Sequence, residues 1–208
     1  MLPMLNIDET RDALPDMLQR KSVFRGDFTL SSGVKSNYYV DFKLTTLDPQ
    51  GAWLAGRLMH SLIREEQAAR NVTVDAVGGL TMGADPIALA VGMYSHGVKD
   101  APLLQVFSVR KSPKAHGQTK LIEGNFKKGD KVVVLDDIVT RGESTIAAIN
   151  AVEKEGGMVA FVAVLVDRQE GGREKIEAMG HSVVALFTKG ELLGSHVRPH
   201  QPADCAVT

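Results

Sequence analysis

Two adjacent carboxylates, Asp136 and Asp137, follow the apolar run Val132-Val133-Val134-Leu135 and precede Ile138-Val139-Thr140-Arg141-Gly142-Glu143-Ser144-Thr145. Acids at the end of a strand can hold sugar hydroxyls or a metal ion. The small and hydroxylated residues after them open a helix at Ile146-Ala147-Ala148, and a helix N-terminus offers backbone N–H groups to a phosphate. Gly142 lets the backbone come close, while Thr140, Ser144 and Thr145 add hydroxyl donors. A site with both chemistries suits a phosphorylated sugar. The bland alternative, one exposed acid and one helix-capping acid, does not explain the strand–loop–helix context. The chain has no G-x-x-x-x-G-K-S/T motif and no G-x-G-x-x-G fingerprint, so this is neither a nucleoside-triphosphate P-loop nor a dinucleotide site.

Other segments carry chemistry of their own. Val109-Arg110-Lys111-Ser112-Pro113-Lys114-Ala115-His116-Gly117 gathers cations in one loop; such runs are usually solvated faces. Val166-Asp167-Arg168-Gln169-Glu170-Gly171-Gly172 ends an apolar run, and its plain reading is a polar turn with Arg168 paired to Asp167 or Glu170. The turn Gly78-Gly79-Leu80-Thr81-Met82-Gly83-Ala84-Asp85-Pro86 either offers N–H groups to a phosphate or uses its glycines only for tight geometry. His196 and His200 have no third ligand nearby and read as a polar tail.

The elements that must position these residues follow from periodicity. Asp8 to Arg20 reads as a helix capped at Asp8, and Val23 to Asp41 as short strands and turns. Pro49 to Arg70 is a helix with Trp53, Leu54, Leu58, Leu62 and Ile63 at helical spacing, begun by Asp48, with Trp53 as a packing anchor. Beyond it, strands alternate with helices. Val74–Val77, Leu103–Phe107, Lys131–Leu135, Met158–Val166 and Ser182–Phe187 read as strands; Pro86–Tyr94 and Gly142–Glu155 read as helices. That alternation predicts an α/β fold with a central, mainly parallel sheet flanked by helices. Residues 1–70 form a small N-terminal cap or hood on the core, 71–195 the α/β core and 196–208 a tail, within one compact unit.

Net charge is −1, so no overall field draws the chain to nucleic acid or an anionic membrane, and neither is expected as a partner. The lone cysteine, Cys205, permits no internal disulfide and fits a reducing cytoplasm. The first residues lack the basic and apolar regions of a signal peptide, and no apolar run could span a bilayer.

The run 132–145 resembles, nearly throughout, the phosphoribosyl-diphosphate motif of type I phosphoribosyltransferases. Three further segments are similar to the orotate phosphoribosyltransferases in particular: Phe28–Asp41, with its Ser-Gly and Tyr pair; the basic loop; and the Arg168 turn. The resemblance spans about residues 20 to 190. It implies transfer of ribose 5-phosphate from 5-phosphoribosyl 1-diphosphate to orotate, giving orotidine 5′-monophosphate and pyrophosphate in pyrimidine synthesis. By the same resemblance Asp136 and Asp137 orient the ribose. Ile138, Val139, Thr140, Arg141, Gly142, Glu143 and Ser144 surround the 5-phosphate. Arg110, Lys111, Lys114 and His116 belong to a loop that reaches the neighbouring subunit's site in a homodimer. Clustered cations would stabilise a departing pyrophosphate, with Lys114 the most rate-relevant and His116 a donor to the leaving group. Thr140 lies beside the base, and Arg168 offers a guanidinium fork to the orotate carboxylate. Mg²⁺ is expected as cofactor, bound mainly through substrate oxygens with no dedicated protein ligands. Where family members carry lysines, this chain has Ser31 and Gly83; Lys35 or Lys43 could compensate. A purine or uracil transferase would not need Arg168, and a phosphoribosyl-diphosphate-sensing regulator would not need the basic loop.

Overall fold

A computed structural model describes residues 6–29, 35–98, 102–112 and 120–194. Helix α1 (Ile7–Ser22) begins at Asn6 rather than Asp8. The Asn6 side chain accepts from the Glu9 N–H at 2.8 Å, and the Glu9 carboxylate accepts from the Asn6 N–H at 2.7 Å. Two donors with no intrahelical partner are thereby satisfied. Strands β1 (Val23–Thr29) and β2 (Lys35–Val40) pair as an antiparallel ribbon. A short α2 (Lys43–Thr46) leads to α3 (Pro49–Arg70), where the Asp48 carboxylate accepts from the Gln50 and Gly51 N–H groups.

The rest is β3 (Ala76–Leu80), α4 (Ala84–Gly97), β4 (Gln105–Val109), β5 (Ile122–Gly124), β6 (Lys131–Val139), α5 (Glu143–Lys154), β7 (Met158–Asp167), α6 (Gly172–Ala178), β8 (Val183–Thr188) and α7 (Lys189–Gly194). The six strands β3 to β8 form one sheet in the order β5-β4-β3-β6-β7-β8. Its pairs are parallel except β4 with β5. The expected α/β class and mainly parallel sheet are therefore present. The elements α2, β5, α6 and α7 have no counterpart in the sequence reading; each is too short to show a period.

Apolar residues cover both sheet faces. On one, Val133, Leu135, Phe161, Ala163 and Leu165 pack with Leu14 and Leu18 of α1, Leu54, Leu58 and Ile63 of α3, and Ile87 and Val91 of α4. On the other, Val132, Val134, Val162 and Val164 pack with Ala148, Ile149 and Val152 of α5. Each fully buried aliphatic side chain contributes about 1.5–3 kcal/mol of transfer free energy. Trp53 stands apart from this core. It is 40% exposed, with the Arg57 guanidinium 5.4 Å over its ring, because it faces outward from the buried stripe of α3.

Three features position the site. First, strand order reverses at β3 and β6, the place where open α/β sheets leave a crevice beyond the strands' carboxyl ends. Second, Gly78 and Gly79 lie inside β3. A Cβ on Gly79 would stand 2.0 Å from the Leu135 carbonyl oxygen, and one on Gly78 would stand 2.1 Å from that of Phe107. Both glycines are therefore needed for close strand approach, as the tight-geometry reading expects. Third, the β6–β7 ladder shifts near its start. Val132 faces Val159 but Val133 faces Phe161, so Ala160 is an extra residue on β7.

Candidate active site

Asp136 and Asp137 lie inside a strand. β6 continues to Val139, with Asp136 opposite Val164, Ile138 opposite Val166 and Val139 opposite Asp167. The sequence reading ends the strand at Leu135 because charge follows; pairing with β7 extends it. Pairing with β3 stops at Gly78 and Val134, so the β3 side of β6 opens where the acids begin.

Adjacent strand residues point to opposite faces. Asp136 turns toward α5, where the Thr145 hydroxyl donates to one carboxylate oxygen at 2.8 Å and the Asp137 N–H to the other at 3.1 Å. Only 4% of Asp136 is exposed. Burial, reinforced by the neighbouring Asp137 charge, pushes its pKa up to about 7 despite these hydrogen bonds. Asp137 turns toward α4. Burial raises its pKa also, and the Lys43 ammonium opposes that rise. Lys43 pairs with Asp41 at 2.6 Å; its pKa is raised first by that hydrogen bond and further by Asp137.

A pocket of about 230 Å³ brings together Asp136, Asp137, Ile138 and Ser144 with Leu80, Thr81, Met82 and Gly83, and with Asp41, Lys43 and Lys111. The β3–α4 turn is tied down by Asp85, which accepts from Thr81 and Ser108 hydroxyls at 2.6 Å each. A Cβ on Gly83 would stand 2.6 Å from an Asp137 carboxylate oxygen. The Asp137 side chain thus occupies space that a lysine at position 83 would enter. The loop from Thr140 to Gly142 leads into α5 with Gly142 at φ +81° and no side chain capping the helix. Its first-turn N–H groups border the pocket through Ser144.

A second cluster lies where β7 ends. The Arg168 N–H donates to the Val139 carbonyl at 3.0 Å, which sets Arg168 beside the β6 loop. Its Nη2 donates to the Tyr38 hydroxyl at 3.0 Å and meets Glu170 Oε1 at 3.0 Å. Its Nε is buried with no hydrogen-bond partner among the described residues. The plain reading of this turn is thus correct for Glu170, whereas Asp167 pairs with Arg173 at 3.0 Å. Tyr38, Val40, Phe42, Ile138, Val166, Arg168 and Lys189 line a narrow apolar recess here.

No family model matches the chain. An orotate phosphoribosyltransferase of Aquifex aeolicus is 43% identical over 186 residues, covering 88% of this chain and 97% of the relative. The chain belongs to the orotate phosphoribosyltransferase family. An orotate phosphoribosyltransferase of Mycobacterium tuberculosis, solved with Fe(III) dicitrate, superposes with a TM-score of 0.74 at 40% identity, covering 88% of this chain and 99% of that one. The same enzyme solved with 5-phospho-α-D-ribosyl 1-diphosphate gives 0.70 at 38% identity, covering 88% and 98%.

Within this orotate phosphoribosyltransferase fold the expected residues separate. Asp136, Asp137, Ile138, Ser144 and Lys111 meet in one pocket. Thr140 and Gly142 sit in the connecting loop, and the Thr140 carbonyl accepts from the Gly172 N–H at 3.0 Å. Val139 is buried against the second core face, so its side chain is structural. Arg141 and Glu143 are exposed. Arg110 pairs with Glu123 at 3.7 Å and donates to the Ser112 carbonyl at 3.3 Å. Thr145 is 1% exposed and serves Asp136, not a phosphate cradle. Lys114, His116, Ser31, His196, His200 and Cys205 lie outside the described residues. Lys189 escapes sequence reasoning altogether, since its place depends on contacts with Tyr38 and Glu170 from distant elements.

Proposed function

We propose that this chain catalyses transfer of ribose 5-phosphate from 5-phosphoribosyl 1-diphosphate to orotate, releasing pyrophosphate and orotidine 5′-monophosphate. The observation that carries the base assignment is the half-buried Arg168 side chain, whose buried Nε has no partner among the described residues beside the β6 loop. A planar carboxylate satisfies such a fork. The uncapped start of α5 suits the 5-phosphate. Asp136 and Asp137, both at the pocket, orient the ribose hydroxyls, with Asp136 held in place by Thr145.

Bond exchange at the anomeric carbon passes through a state with oxocarbenium character. The residues act by holding both reactants in line and by placing cations at the leaving group. Lys111 already borders the pocket, and Lys114, His116 and Arg110 complete the basic loop of this reading. Among the described residues no cluster of three metal-binding side chains exists. Two buried carboxylates fit an ion that keeps substrate and water oxygens as ligands. Mg²⁺ held beside Asp136 and Asp137, mainly through substrate oxygens, would supply charge neutralisation at the pyrophosphate.

The dimer belongs to this proposal. Leu89 and Met93, one turn apart on α4, are 57% and 69% exposed, and Leu44 on α2, Leu47 at its C-terminal end and Trp53 on α3 are exposed as well. Apolar exposure of this kind supports a covered face. Mixing inactive Lys114→Ala and Asp137→Asn chains is expected to restore activity through hybrid sites; exchange without restored activity would place the loop in its own subunit's site. No described helix is long and apolar enough to cross a membrane, and we place the activity in the cytoplasm.

The deciding assay follows orotate by its ultraviolet absorbance with phosphoribosyl diphosphate and Mg²⁺, with adenine, hypoxanthine and uracil run in parallel. Loss of orotate alone, abolished in Arg168→Ala, supports the reading. Turnover of another base overturns the substrate; no turnover overturns the enzyme.

A further inference from the structure

Lys189 begins α7, where a cation opposes the peptide dipoles, so helix stability does not explain it. Its backbone is fixed by its neighbours. The Glu191 carboxylate accepts from both the N–H and the hydroxyl of Thr188, at 2.6 and 2.8 Å. From there Nζ reaches Glu170 Oε1 at 3.3 Å and lies 5.3 Å from the Tyr38 ring centroid. Arg168 touches the same two partners: its Nη2 meets the same Glu170 oxygen at 3.0 Å, and its Cζ lies 5.5 Å from the same ring. Two cations therefore share one carboxylate and one aromatic ring.

The sharing matters because of which guanidinium atoms are engaged. A carboxylate taken side-on uses Nε and Nη2 together. Here Nε has no partner among the described residues, while Nη2 is held by Tyr38 and Glu170. An incoming carboxylate taken side-on therefore competes for Nη2 with its present acceptors, of which Glu170 is the charged one. Without Lys189, Arg168 and Glu170 would form a neutral pair, and the displaced Glu170 would be left beside a second anion. With Lys189 the cluster carries one net positive charge and Glu170 retains a cation.

We infer that Lys189 is a positioning residue for the base carboxylate: it holds Glu170 as Arg168 transfers its side-on fork to the incoming acid. This rests on the reading of Arg168 as the orotate-binding residue.

The test is a double-variant cycle on the full-length chain, read as KM for orotate at saturating phosphoribosyl diphosphate. Lys189→Met is expected to raise that KM about fivefold, the size of one partly exposed charge-assisted contact, with kcat and the other substrate's KM within about twofold. Lys189→Arg is expected to restore it. In the Lys189→Met/Glu170→Gln double variant the competing charge is gone, and KM is expected to return to within about twofold of the parent. An unchanged orotate KM in Lys189→Met overturns the inference, and so does a double variant as impaired as Lys189→Met alone. The parent reading fails separately: if the unmodified chain consumes no orotate, or Arg168→Ala leaves orotate KM unchanged, it falls whatever Lys189 does.

Discussion

The two ends of the sheet differ in a way that reverses the usual guide of size. At the amino ends of β3, β4 and β6 lies a cleft of about 690 Å³, bordered by Arg64, Gln67, Asp75, Lys127 and Asp130. Its polar groups serve local structure. Asp75 accepts from the Lys131 N–H, Asp130 from the Lys127 N–H, and Gln67 from Arg64. The pocket at the carboxyl ends is a third of that size, about 230 Å³, yet it holds two buried acids with raised pKa values and an uncapped helix start. On our proposal the chemistry sits where charge is desolvated, not where the volume is greatest.

The sharpest way to break this comparison is Asp137→Asn. Loss of the pocket-facing carboxylate is expected to lower kcat/KM by about 10²–10³, the usual cost of one well-placed polar group in a reacting site. A loss below about tenfold would leave the carboxyl end without its main claim.

Asp136 predicts a stability effect with a definite sign. Its pKa rises from 3.8 in the unfolded chain to about 7 in the fold. Between those values the native state holds a proton that the unfolded state has released, so the contribution of this group to stability falls as pH rises from about 4 to about 7. Asp136→Asn removes that slope. Without ligands, the melting temperature of the variant relative to the parent should climb from pH 5 to pH 8, by the equivalent of a few kcal/mol at most. A constant difference would show that Asp136 is ionised throughout.

Gly83→Ala should raise KM for phosphoribosyl diphosphate about tenfold, because the new methyl displaces the Asp137 carboxylate. Gly97→Ala, with nothing within 4 Å of its Cβ, is the control. At the other end, Arg64→Ala and Lys127→Ala should change kcat/KM by less than about twofold. A larger effect from either would give the wide cleft a role in turnover.

How far the sequence reveals this arrangement depends on the range of the forces involved. The α/β alternation, α3 with its Asp48 cap, and the acid–loop–helix order are local, and all are legible. The facing of the acids is not. A reader of the sequence sees two equivalent neighbours, while strand alternation turns Asp136 toward Thr145 and Asp137 toward Gly83, with both at the pocket. Arg110 illustrates the same limit, since its pairing with Glu123 arises only when β4 and β5 meet. Trp53 satisfies the helical spacing of α3 yet faces outward.

The extra residue at Ala160 makes β7 behave as a reading frame. Upstream of it β7 runs in one phase with β6; downstream every residue is advanced by one. The advanced phase brings Asp167 opposite Val139 and sets Arg168 against the β6 loop. Arg168 is eight positions away, about 26 Å of strand at 3.3 Å per residue. Removing Ala160 would restore the earlier phase, turn the downstream side chains to the opposite face and carry the guanidinium out of step with the acids. The placement of Arg168 beside the β6 loop is thus set partly by strand length, eight residues away from the guanidinium itself.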